Sequence, residues 1–285
     1  MLHERLTSAR EQLIRAGIRP ADAAIDVELY ARTILKWDRA RILLNNRESV
    51  PEQLEPRFSE WIARRQQFEP TAYIVGEREF WGLDFLITPA VLIPRPETEL
   101  VVEEVSAIAG GLDGQPLRIA DMGTGSGNIA VSIAHHLSSV PFSMVATDVS
   151  EAALDVARQN AVRHSVADRI EFVCTSWLDG VSGVFDIIAA NPPYVRDIDK
   201  RGLSADVLQE PHVALFGGAT GFDHIEAVLS TAVRMLRPGG WLVMEFGFGQ
   251  EDDVRALAAR QTELRVDHTR DDLQGLARTV IIQRR

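Results

Sequence analysis

The chain has 285 residues, 46% of them hydrophobic and 25% charged, which is the composition of an ordinary globular protein of one or two domains. The formal net charge is −11, and the first 90 residues carry 13 basic and 14 acidic side chains, so neither part has the basic excess of a nucleic-acid-binding segment. No apolar stretch reaches the length of a membrane span and the first residues lack the apolar core of a signal peptide, so we expect a cytoplasmic protein.

The first 70 residues have the apolar spacing of amphipathic helices, in segments separated by Pro20 and Pro51. Three sets of apolar residues are each expected to share a helix face: Leu2, Leu6, Leu13 and Ile14; Ile25, Leu29, Ile34 and Leu35; and Leu54, Phe58, Trp61 and Ile62. We interpret residues 1–70 as a small helical bundle. Its arginines, including Arg64 and Arg65, are expected to lie on solvent-exposed faces.

Residues 71–95 have a β-like pattern interrupted by turn residues, first in Ala72–Gly76 and then in Glu79–Ile87. This pattern predicts a hairpin that links two domains. The segment Leu92–Glu99 then leads into a helix over Leu100–Ala109, and Gly110–Gly114 is expected to end that helix.

From residue 117 onward, predicted strands and helices alternate, which is typical of a parallel sheet covered by helices on both faces. The chain therefore belongs to the α/β class, with a domain that extends over residues 96–285. The predicted strands are Leu117–Ala120, Ser143–Ala146, Ile170–Cys174, Val184–Ala190, Trp241–Phe246 and Thr279–Gln283, and the predicted helices are Ile129–Leu137, Ala152–Arg163 and Asp223–Leu236.

A glycine-rich loop, Asp121–Gly127, joins the first of these strands to the following helix. Glycines at every second position let the backbone turn sharply and approach a ligand closely, and the helix start offers N–H groups to an anion. A dinucleotide-binding loop would have a third glycine or an alanine at position 128, where this chain has Asn128. The loop therefore favours a nucleoside cofactor other than NAD.

Two residues after the next strands fit an adenosine. Asp148 ends the second predicted strand, where a carboxylate can accept hydrogen bonds from both ribose hydroxyls, although Asp148 with Ser150 could instead cap the next helix. Trp177 follows the third strand and could form a wall of an adenine pocket, or could equally be a core tryptophan.

The strand Val184–Ala190 ends at Asn191-Pro192-Pro193-Tyr194, hereafter the Asn-Pro-Pro-Tyr segment. Two prolines stiffen the backbone and leave carbonyls unpaired, although a proline-rich turn that merely ends the strand would have the same pattern. The Asn191 oxygen and the Pro192 carbonyl can each accept one N–H of a planar amide, and Tyr194 can stack on that group. With an adenosyl cofactor, this arrangement indicates methyl transfer from S-adenosylmethionine to a weakly nucleophilic nitrogen.

The sequence predicts neither a metal site nor an internal disulfide. Seven histidines are scattered along the chain, and the adjacent His135 and His136 would point in different directions on a helix. The single cysteine, Cys174, lies in an apolar run and is expected to be buried and inert.

Taken together, these motifs resemble those of the bacterial release factor glutamine methyltransferases (the HemK/PrmC family), and the likeness covers nearly the whole chain. The segment that leads into the first helix of the α/β domain is more specific than the Asn-Pro-Pro-Tyr segment, which also occurs in DNA and RNA amino-methyltransferases. The matching motifs are Tyr73–Gly76, Glu79–Leu83, Val91–Glu99, Asp121–Gly127, Asn191–Tyr194, Glu210–Pro211, Ala214–Gly218, Asp272–Gly275 and Arg278.

The resemblance implies a helical substrate-recognition domain, a hairpin linker and a class I (Rossmann-like) seven-stranded methyltransferase domain. It implies that the substrate is the glutamine amide in the Gly-Gly-Gln loop of peptide-chain release factors, with no direct nucleic-acid partner, no membrane and a monomeric state. By matching positions, the methionyl part of S-adenosylmethionine is expected at Gly123, Thr124, Gly125, Ser126 and Gly127, the ribose at Asp148 and the adenine at Trp177. Asn191, Pro192, Pro193 and Tyr194 are expected to hold the glutamine, Asn191 lying next to the cofactor as well.

Two positions depart from the family pattern. Ser176 stands where relatives often have an acidic residue beside the tryptophan, and Gln209 stands where they often have a tyrosine. Arg95 and Glu97 match the family, either as a cap between linker and helix or as part of the cofactor pocket. The alternatives to protein methylation are methylation of an exocyclic amine of a nucleic acid, or a nucleotide-binding scaffold without catalysis.

Overall fold

The computed structural model describes residues 1–112, 116–138 and 140–285, which divide into two compact units. The first unit consists of residues 1–76 together with residues 204–209, and the second consists of residues 77–203 and 210–285. The first unit is therefore discontinuous in sequence. Of the turn predicted over Gly110–Gly114, Asp113 and Gly114 lie outside the described residues.

The long first segment of the first unit folds into helices that enclose a small apolar core. Tyr30 and Phe58 are among its fully buried residues, and the rings of Tyr30 and Trp61 meet edge to face with centroids 5.4 Å apart. The helices are α1 (Leu2–Arg15), α2 (Pro20–Leu35), α3 (Arg39–Leu44), α4 (Arg57–Gln66) and α5 (Thr71–Val75).

The predicted helix faces are only partly confirmed. The third set, which includes Phe58 and Ile62, is buried as a whole. Ile25 is 65% exposed, however, and α2 instead buries a face that contains Ala23, Val27 and Tyr30. Tyr30 and Ala23 are both fully buried in the core of the first unit, so the face of α2 that contains them is the one that packs inward.

The prediction that Arg65 is solvated is wrong, since its side chain is only 6% exposed. Arg65 Nε donates to Asp26 Oδ2 at 2.8 Å, and its Nη2 lies 3.3 Å from Asp206 Oδ2. The hydroxyl of Thr71 donates to the other Asp26 oxygen at 2.7 Å. A buried guanidinium requires such partners, because an unpaired charge in the interior is strongly unfavourable.

The β-like segment at residues 72–76 is also different from the prediction, because it forms α5. Gly76 ends this helix with a φ of 87° and donates its N–H to Ala72 O at 2.8 Å. Five residues are too few for a period of 2 to be distinguished from a period of 3.6 in the sequence. The more informative signal was Gly76, because glycine often ends a helix.

The second unit contains nine strands, β1 to β9, among its described residues. A hairpin of β1 and β2 confirms the predicted turn-bounded strands near Glu79–Ile87, and the alternating elements follow. The elements are β1 (Glu77–Phe80), β2 (Leu83–Leu86), α6 (Glu99–Gly111), β3 (Leu117–Met122), α7 (Asn128–His136), β4 (Phe142–Asp148), α8 (Glu151–Arg163), β5 (Ile170–Cys174), β6 (Phe185–Ala190), α9 (His212–Leu215), α10 (Asp223–Met235), β7 (Leu236–Glu245), α11 (Glu251–Ala259), β8 (Leu264–Asp271) and β9 (Ala277–Arg284).

Seven of these strands form one sheet in the order β5-β4-β3-β6-β7-β9-β8. The first five run parallel, whereas β9 is antiparallel to both of its neighbours. From β3 the chain adds β4 and then β5 on one side, and it then crosses back to place β6 on the other side of β3. The strand order therefore reverses between β3 and β6, which is where ligands bind in open α/β sheets.

Helices cover both faces of this sheet. Side chains of β3, β6, β7 and β9 form one buried cluster with residues of α10 and α11 such as Val228 and Val254. Alternate strand residues such as Ile119 and Ile187 are buried outside that cluster, and α6 contacts β6 and β7. Burial on both faces explains why the strands have nearly continuous apolar sequences.

Three elements of the second unit, α9, α11 and β8, were not predicted. The strand β8 lies at the sheet edge, and much of it is exposed, so its charged sequence lacks the apolar signal of the inner strands. Cys174 at the end of β5 is exposed, which contradicts its predicted burial. The strand at the other edge of the sheet, β5, is thus also more exposed to solvent than its apolar sequence suggests. No helix of the described residues is long and apolar enough to cross a membrane.

Candidate active site

The sheet register brings the predicted site residues together at the carboxyl ends of three neighbouring strands. Met122 pairs with Thr147 on one side and with Ala190 on the other, so the residues next along the chain from these three lie side by side. These residues are Gly123, Asp148 and Asn191.

A pocket opens at this edge of the sheet, where ligands bind in open α/β folds. Its lining includes Gly123, Gly125, Asp148, Trp177, Asn191 and Pro192. Ser176, which replaces the expected acidic residue, lines the pocket as well, so the hydroxyl is available where the family often has a carboxylate.

The glycine-rich loop is shaped by left-handed backbone at Gly123 and Gly125, with φ values of 75° and 54°. The N–H of Gly123 donates to Thr147 O at 2.9 Å, and that of Gly125 donates to Asp148 Oδ2 at 2.9 Å. These two amides are already paired. The glycines therefore contribute close approach of the backbone to a ligand, rather than the unpaired donors that the sequence suggested.

Thr124, Ser126 and Gly127 are not among the described residues that line the pocket. The Thr124 hydroxyl donates to Asp121 Oδ2 at 2.6 Å, and Ser126 is 1% exposed. Gly127 has a φ of 79°, and a Cβ there would lie 3.0 Å from the Cβ of Ala157 on α8. These three residues hold the loop and the helix behind it in place.

Asp121 supports the loop from the interior. Its Oδ2 accepts the Thr124 hydroxyl and the N–H of Ala130 at 3.2 Å, while Oδ1 is buried without a hydrogen-bond partner among the described residues. Burial raises the pKa of Asp121 to about 7. An ionised Asp121 therefore has a cost in folding free energy, which the hydrogen bonds to the loop partly offset.

The Asp148 carboxylate lines the pocket and also accepts hydrogen bonds from the backbone around it. Its Oδ1 accepts the N–H of Ser150 at 2.9 Å and its Oδ2 accepts that of Gly125, yet the carboxylate lines the pocket. The capping of α8 is done by Ser150, whose hydroxyl oxygen accepts the N–H of Ala153 at 3.2 Å. An ionised carboxylate has about four acceptor positions, so Asp148 retains capacity for a ligand.

Trp177 forms one wall of the pocket. Its backbone has a positive φ of 52°, and its ring meets that of His224 at 5.6 Å between centroids. The ring also packs against the buried cluster shared with α10. The tryptophan thus borders both the core and the pocket, and its contact with an adenine stays a prediction.

Asn191 is fixed through residues that the sequence analysis did not single out. Its Nδ2 donates to Thr98 Oγ1 at 3.1 Å, and the Thr98 hydroxyl donates to Glu245 Oε2 at 2.6 Å. Glu245 is the last residue of β7 and lies next to the end of β6, because Ala190 pairs with Met244. Its position after an apolar strand at the same sheet edge was the available sequence signal.

Pro192 and Pro193 line the pocket with Asn191, but Tyr194 does not. The Tyr194 hydroxyl donates to Glu245 Oε1 at 2.9 Å, and the residue lines a second, open cavity with Phe248 and Gly247. The Glu245 charge, together with burial, raises the pKa of Tyr194 well above its ordinary value. Burial also raises the pKa of Glu245 itself.

Arg95 stabilises the wall of the pocket. Its guanidinium pairs with the buried Glu210, whose Oε2 accepts the N–H of Ile93 at 2.9 Å. Leu92 and Pro211, each adjacent to one of these partners, line the pocket. Glu97 does not line it, and its negative charge contributes to the raised pKa of Glu245.

Comparison with protein families matches two parts of the chain. Residues 4–76 match the model described as PrmC N-terminal domain, and residues 98–218 match the methyltransferase small domain.

Curated relatives extend the similarity to nearly the full length. A release factor glutamine methyltransferase of Nitratidesulfovibrio vulgaris is 40% identical over 98% of this chain and 94% of its own. Enzymes of the same name from Moorella thermoacetica and Bradyrhizobium diazoefficiens are 38% and 37% identical, over 100% and 96% of this chain and 99% and 93% of their own.

Solved structures show the same fold at low sequence identity. The hMettl16 catalytic domain, in complex with an RNA hairpin, has a TM-score of 0.58 at 17% identity and covers 78% of this chain and 81% of its own. A methyltransferase from Pyrococcus furiosus has a TM-score of 0.51 at 18% identity, over 71% of this chain and 89% of its own. These likenesses agree with the class I seven-stranded architecture of the second unit.

Proposed function

Because this chain belongs to the release factor glutamine methyltransferase family, we propose that it methylates the side-chain amide nitrogen of a release factor glutamine. The substrate is the glutamine of the Gly-Gly-Gln loop of peptide-chain release factors, and the methyl donor is S-adenosylmethionine. The observation that carries this proposal is the adjacency of Gly123, Asp148 and Asn191 around one pocket at the reversal of strand order.

The pocket residues fit the donor. Close backbone approach at Gly123 and Gly125 suits the methionyl part, the Asp148 carboxylate suits the ribose hydroxyls, and the Trp177 ring suits the adenine. Thr124, Ser126 and Gly127 are assigned to the support of this cradle. When bound, S-adenosylmethionine supplies an electrophilic methyl group on a sulfonium sulfur.

Asn191 and Pro192 hold the glutamine side of the site. The Asn191 Oδ1 and the Pro192 carbonyl each accept one N–H of the substrate amide, which directs the nitrogen lone pair toward the cofactor side of the pocket. The same acceptors stabilise the positive charge that develops on nitrogen. Positioning of two reactants can supply up to roughly 7–11 kcal/mol, so a residue that acts as a strong base is not needed before the methyl group moves.

Tyr194 is the last residue of the Asn-Pro-Pro-Tyr segment and anchors that end of it. Its hydroxyl is engaged with Glu245, so only its ring edge or face is available to a substrate group. We assign it to the positioning of Asn191 and Pro192, with stacking on the glutamine as the secondary role.

A nucleic-acid amine is the alternative substrate, since proteins with the same fold act in complex with RNA. Such a substrate requires a basic surface to hold its phosphates. The net charge of −11, and a near-neutral first 90 residues, favour a protein substrate instead. We assign residues 1–70 to recognition of the release factor, 71–95 to the linker and 96–285 to methyl transfer, in a monomeric cytoplasmic enzyme.

The direct test is mass spectrometry of a release factor after incubation with the protein and S-adenosylmethionine. We expect a gain of one methyl group on the glutamine of the Gly-Gly-Gln loop, absent when that glutamine is changed to alanine. A double-stranded DNA and a ribosomal RNA substrate serve as controls. Methylation of either nucleic acid with none on the release factor would overturn the proposal.

A further inference from the structure

Thr98 ends a 3-10 turn, Pro96–Thr98, that continues directly into α6, and its backbone is helical, with a φ of −66° and a ψ of −18°. It is the residue before α6, and its hydroxyl makes no capping hydrogen bond to the first turn. The residue is 2% exposed, and its hydroxyl contacts Glu245 and Asn191 instead. The Thr98 hydroxyl therefore connects the start of α6 to the candidate active site.

The direction of each hydrogen bond in this chain of groups is fixed by chemistry. Glu245 accepts from two hydroxyls, that of Thr98 at 2.6 Å and that of Tyr194 at 2.9 Å, as a carboxylate does. Since the only proton on Thr98 Oγ1 is directed to Glu245, the oxygen can only accept from Asn191. The amide must therefore present Nδ2 to Thr98, and its Oδ1 is left as the acceptor in the pocket wall.

We propose that Glu245, acting through Thr98, is a positioning residue that holds the Asn191 amide with its oxygen toward the substrate. This inference rests on the proposed function, because it concerns how the same amide accepts from the glutamine. Glu245 also holds the Tyr194 hydroxyl, so one buried carboxylate anchors both ends of the Asn-Pro-Pro-Tyr segment. If Glu245 is removed, the Thr98 hydroxyl loses the carboxylate that accepts its proton. The Asn191 amide is then expected to flip, so that its Oδ1 accepts that proton instead.

A flipped Asn191 amide would present its NH₂ group to the NH₂ group of the substrate amide. Both groups are hydrogen-bond donors, so no hydrogen bond could form between them. Such a site would still bind S-adenosylmethionine, because neither Thr98 nor Glu245 is among the described residues that line the pocket. The loss is therefore expected in turnover and not in cofactor affinity.

The test compares four variants with the wild-type protein on an intact release factor. Thr98→Val removes the hydroxyl at nearly constant volume, Thr98→Ser keeps it, and Glu245→Met removes the carboxylate. Thr279→Val is the matched control, since Thr279 is buried beside Glu245 in the sheet and its hydroxyl has no hydrogen-bond partner among the described residues. Measured quantities are kcat, KM for the release factor, the cofactor Kd and the melting temperature.

We expect Thr98→Val and Glu245→Met to lower kcat roughly 10- to 100-fold while the cofactor Kd changes less than about twofold. Thr98→Ser should restore kcat to within about threefold of wild type, and Thr279→Val should leave it unchanged. The double variant Thr98→Val/Glu245→Met should be no slower than the slower single variant, because either change breaks the same link. Equal losses with valine and serine at position 98, or wild-type kcat with valine, would overturn the inference.

A second measurement does not depend on activity. The side-chain amide resonance of Asn191, identified by its loss in Asn191→Ala, should shift in ¹H–¹⁵N spectra of Thr98→Val and Glu245→Met and stay in place in Thr279→Val. An unchanged resonance would overturn the inference even for a fully active enzyme. If wild-type protein fails to methylate the release factor while the resonance shifts as expected, the proposed function fails and the positioning of Asn191 stands.

Discussion

Asn191 and Asp148 line the same pocket but are assigned to different molecules under the proposed function, so their substitutions are expected to have opposite effects. Under the proposed function, Asn191→Ala removes an acceptor that is assigned to the substrate amide. We expect kcat to fall by roughly 100-fold or more while the cofactor Kd stays near the wild-type value. Isothermal titration with S-adenosylhomocysteine and rate measurements at saturating cofactor separate the two quantities. A near-normal kcat in this variant would remove Asn191 from the catalytic assignment.

Asp148→Ala is expected to act on the cofactor first. It removes the ribose acceptor and also the carboxylate that accepts the N–H groups of Gly125 and Ser150. We expect the cofactor Kd to rise by roughly 10- to 100-fold, with much of kcat recovered at saturating S-adenosylmethionine. Asp148→Asn, which keeps one acceptor oxygen, should fall between wild type and alanine. Unchanged cofactor binding in both variants would contradict the assignment of Asp148 to the ribose.

The buried Asp121 makes stability depend on pH. Its pKa is raised from 3.8 to about 7 in the folded state, so its contribution to the free energy of unfolding is greatest below pH 4 and is lost as the pH rises toward 7. The loss can reach roughly 4 kcal/mol. Asp121→Asn should therefore gain stability relative to wild type between pH 4 and pH 8.

Urea denaturation at several pH values tests this expectation. The exposed Asp168→Asn serves as the control and should differ from wild type by a constant amount across that range. A constant difference for Asp121→Asn as well would show that the ionisation of Asp121 has no linkage to folding.

At the level of single residues, the sequence was informative about positions where the chemistry requires one residue type. It was misleading about which polar side chains are buried. The glycines, Asp148 and Asn191 were singled out because their side chains, or lack of them, suit a ligand, and the structure places Gly123, Gly125, Asp148 and Asn191 around one pocket. Burial of Arg65 could not be predicted, because its partners Asp26 and Asp206 are distant in sequence. Thr98 and Glu245 were missed as a pair for the same reason.

Among the elements, the junction of α7 and α8 depends on Gly127. A Cβ at this position would lie 3.0 Å from Ala157 Cβ, and the φ of 79° disfavours any side chain. We expect Gly127→Ala to lower the free energy of unfolding by roughly 2–3 kcal/mol, from left-handed strain and overpacking together. Thermal denaturation measures the change.

The compensating variant separates the two causes. Gly127→Ala combined with Ala157→Gly removes the 3.0 Å contact with the Ala157 Cβ, whereas the strain and a 3.2 Å approach to the Ala157 Cα remain. The two changes should therefore be non-additive, with the double variant losing less than the sum of the single losses. Gly82→Ala, at a φ of 73° with nothing within 4 Å of its Cβ, reports the strain alone. Equal losses at positions 82 and 127 would show that contact with α8 has no role.

The elements that were predicted correctly are those with a strong apolar signal. The inner parallel strands β3, β4 and β6 are buried on both faces, and their continuous apolar runs identify them without knowledge of the fold. The strand β8 and the helix α11 have mixed sequences that depend on tertiary contacts with each other and with β9. The short α5 shows the limit of periodicity, because one helical turn cannot display a period.

For the whole molecule, the charge distribution makes a prediction about salt. A nucleic-acid methyltransferase would lose affinity steeply between 50 mM and 200 mM salt, because cations are released from the phosphates. We expect the KM of this protein for a release factor to change by less than about tenfold over that range, since phosphate contacts make no contribution. Steady-state rates at four salt concentrations suffice, with constant S-adenosylmethionine. A slope as steep as that of a DNA-binding protein would favour the alternative substrate.

The first unit draws on two separate stretches of the chain, residues 1–76 and residues 204–209, and the second stretch follows the Asn-Pro-Pro-Tyr segment by only ten residues. Asp206 and Gln209 pair there with Arg65 and Gln67. A helical unit built in this way cannot be exchanged between homologues as a single cassette. A chimera that swaps only the amino-terminal stretch would combine mismatched halves of one ion-pair network, so recombination that preserves folding must carry both stretches at once.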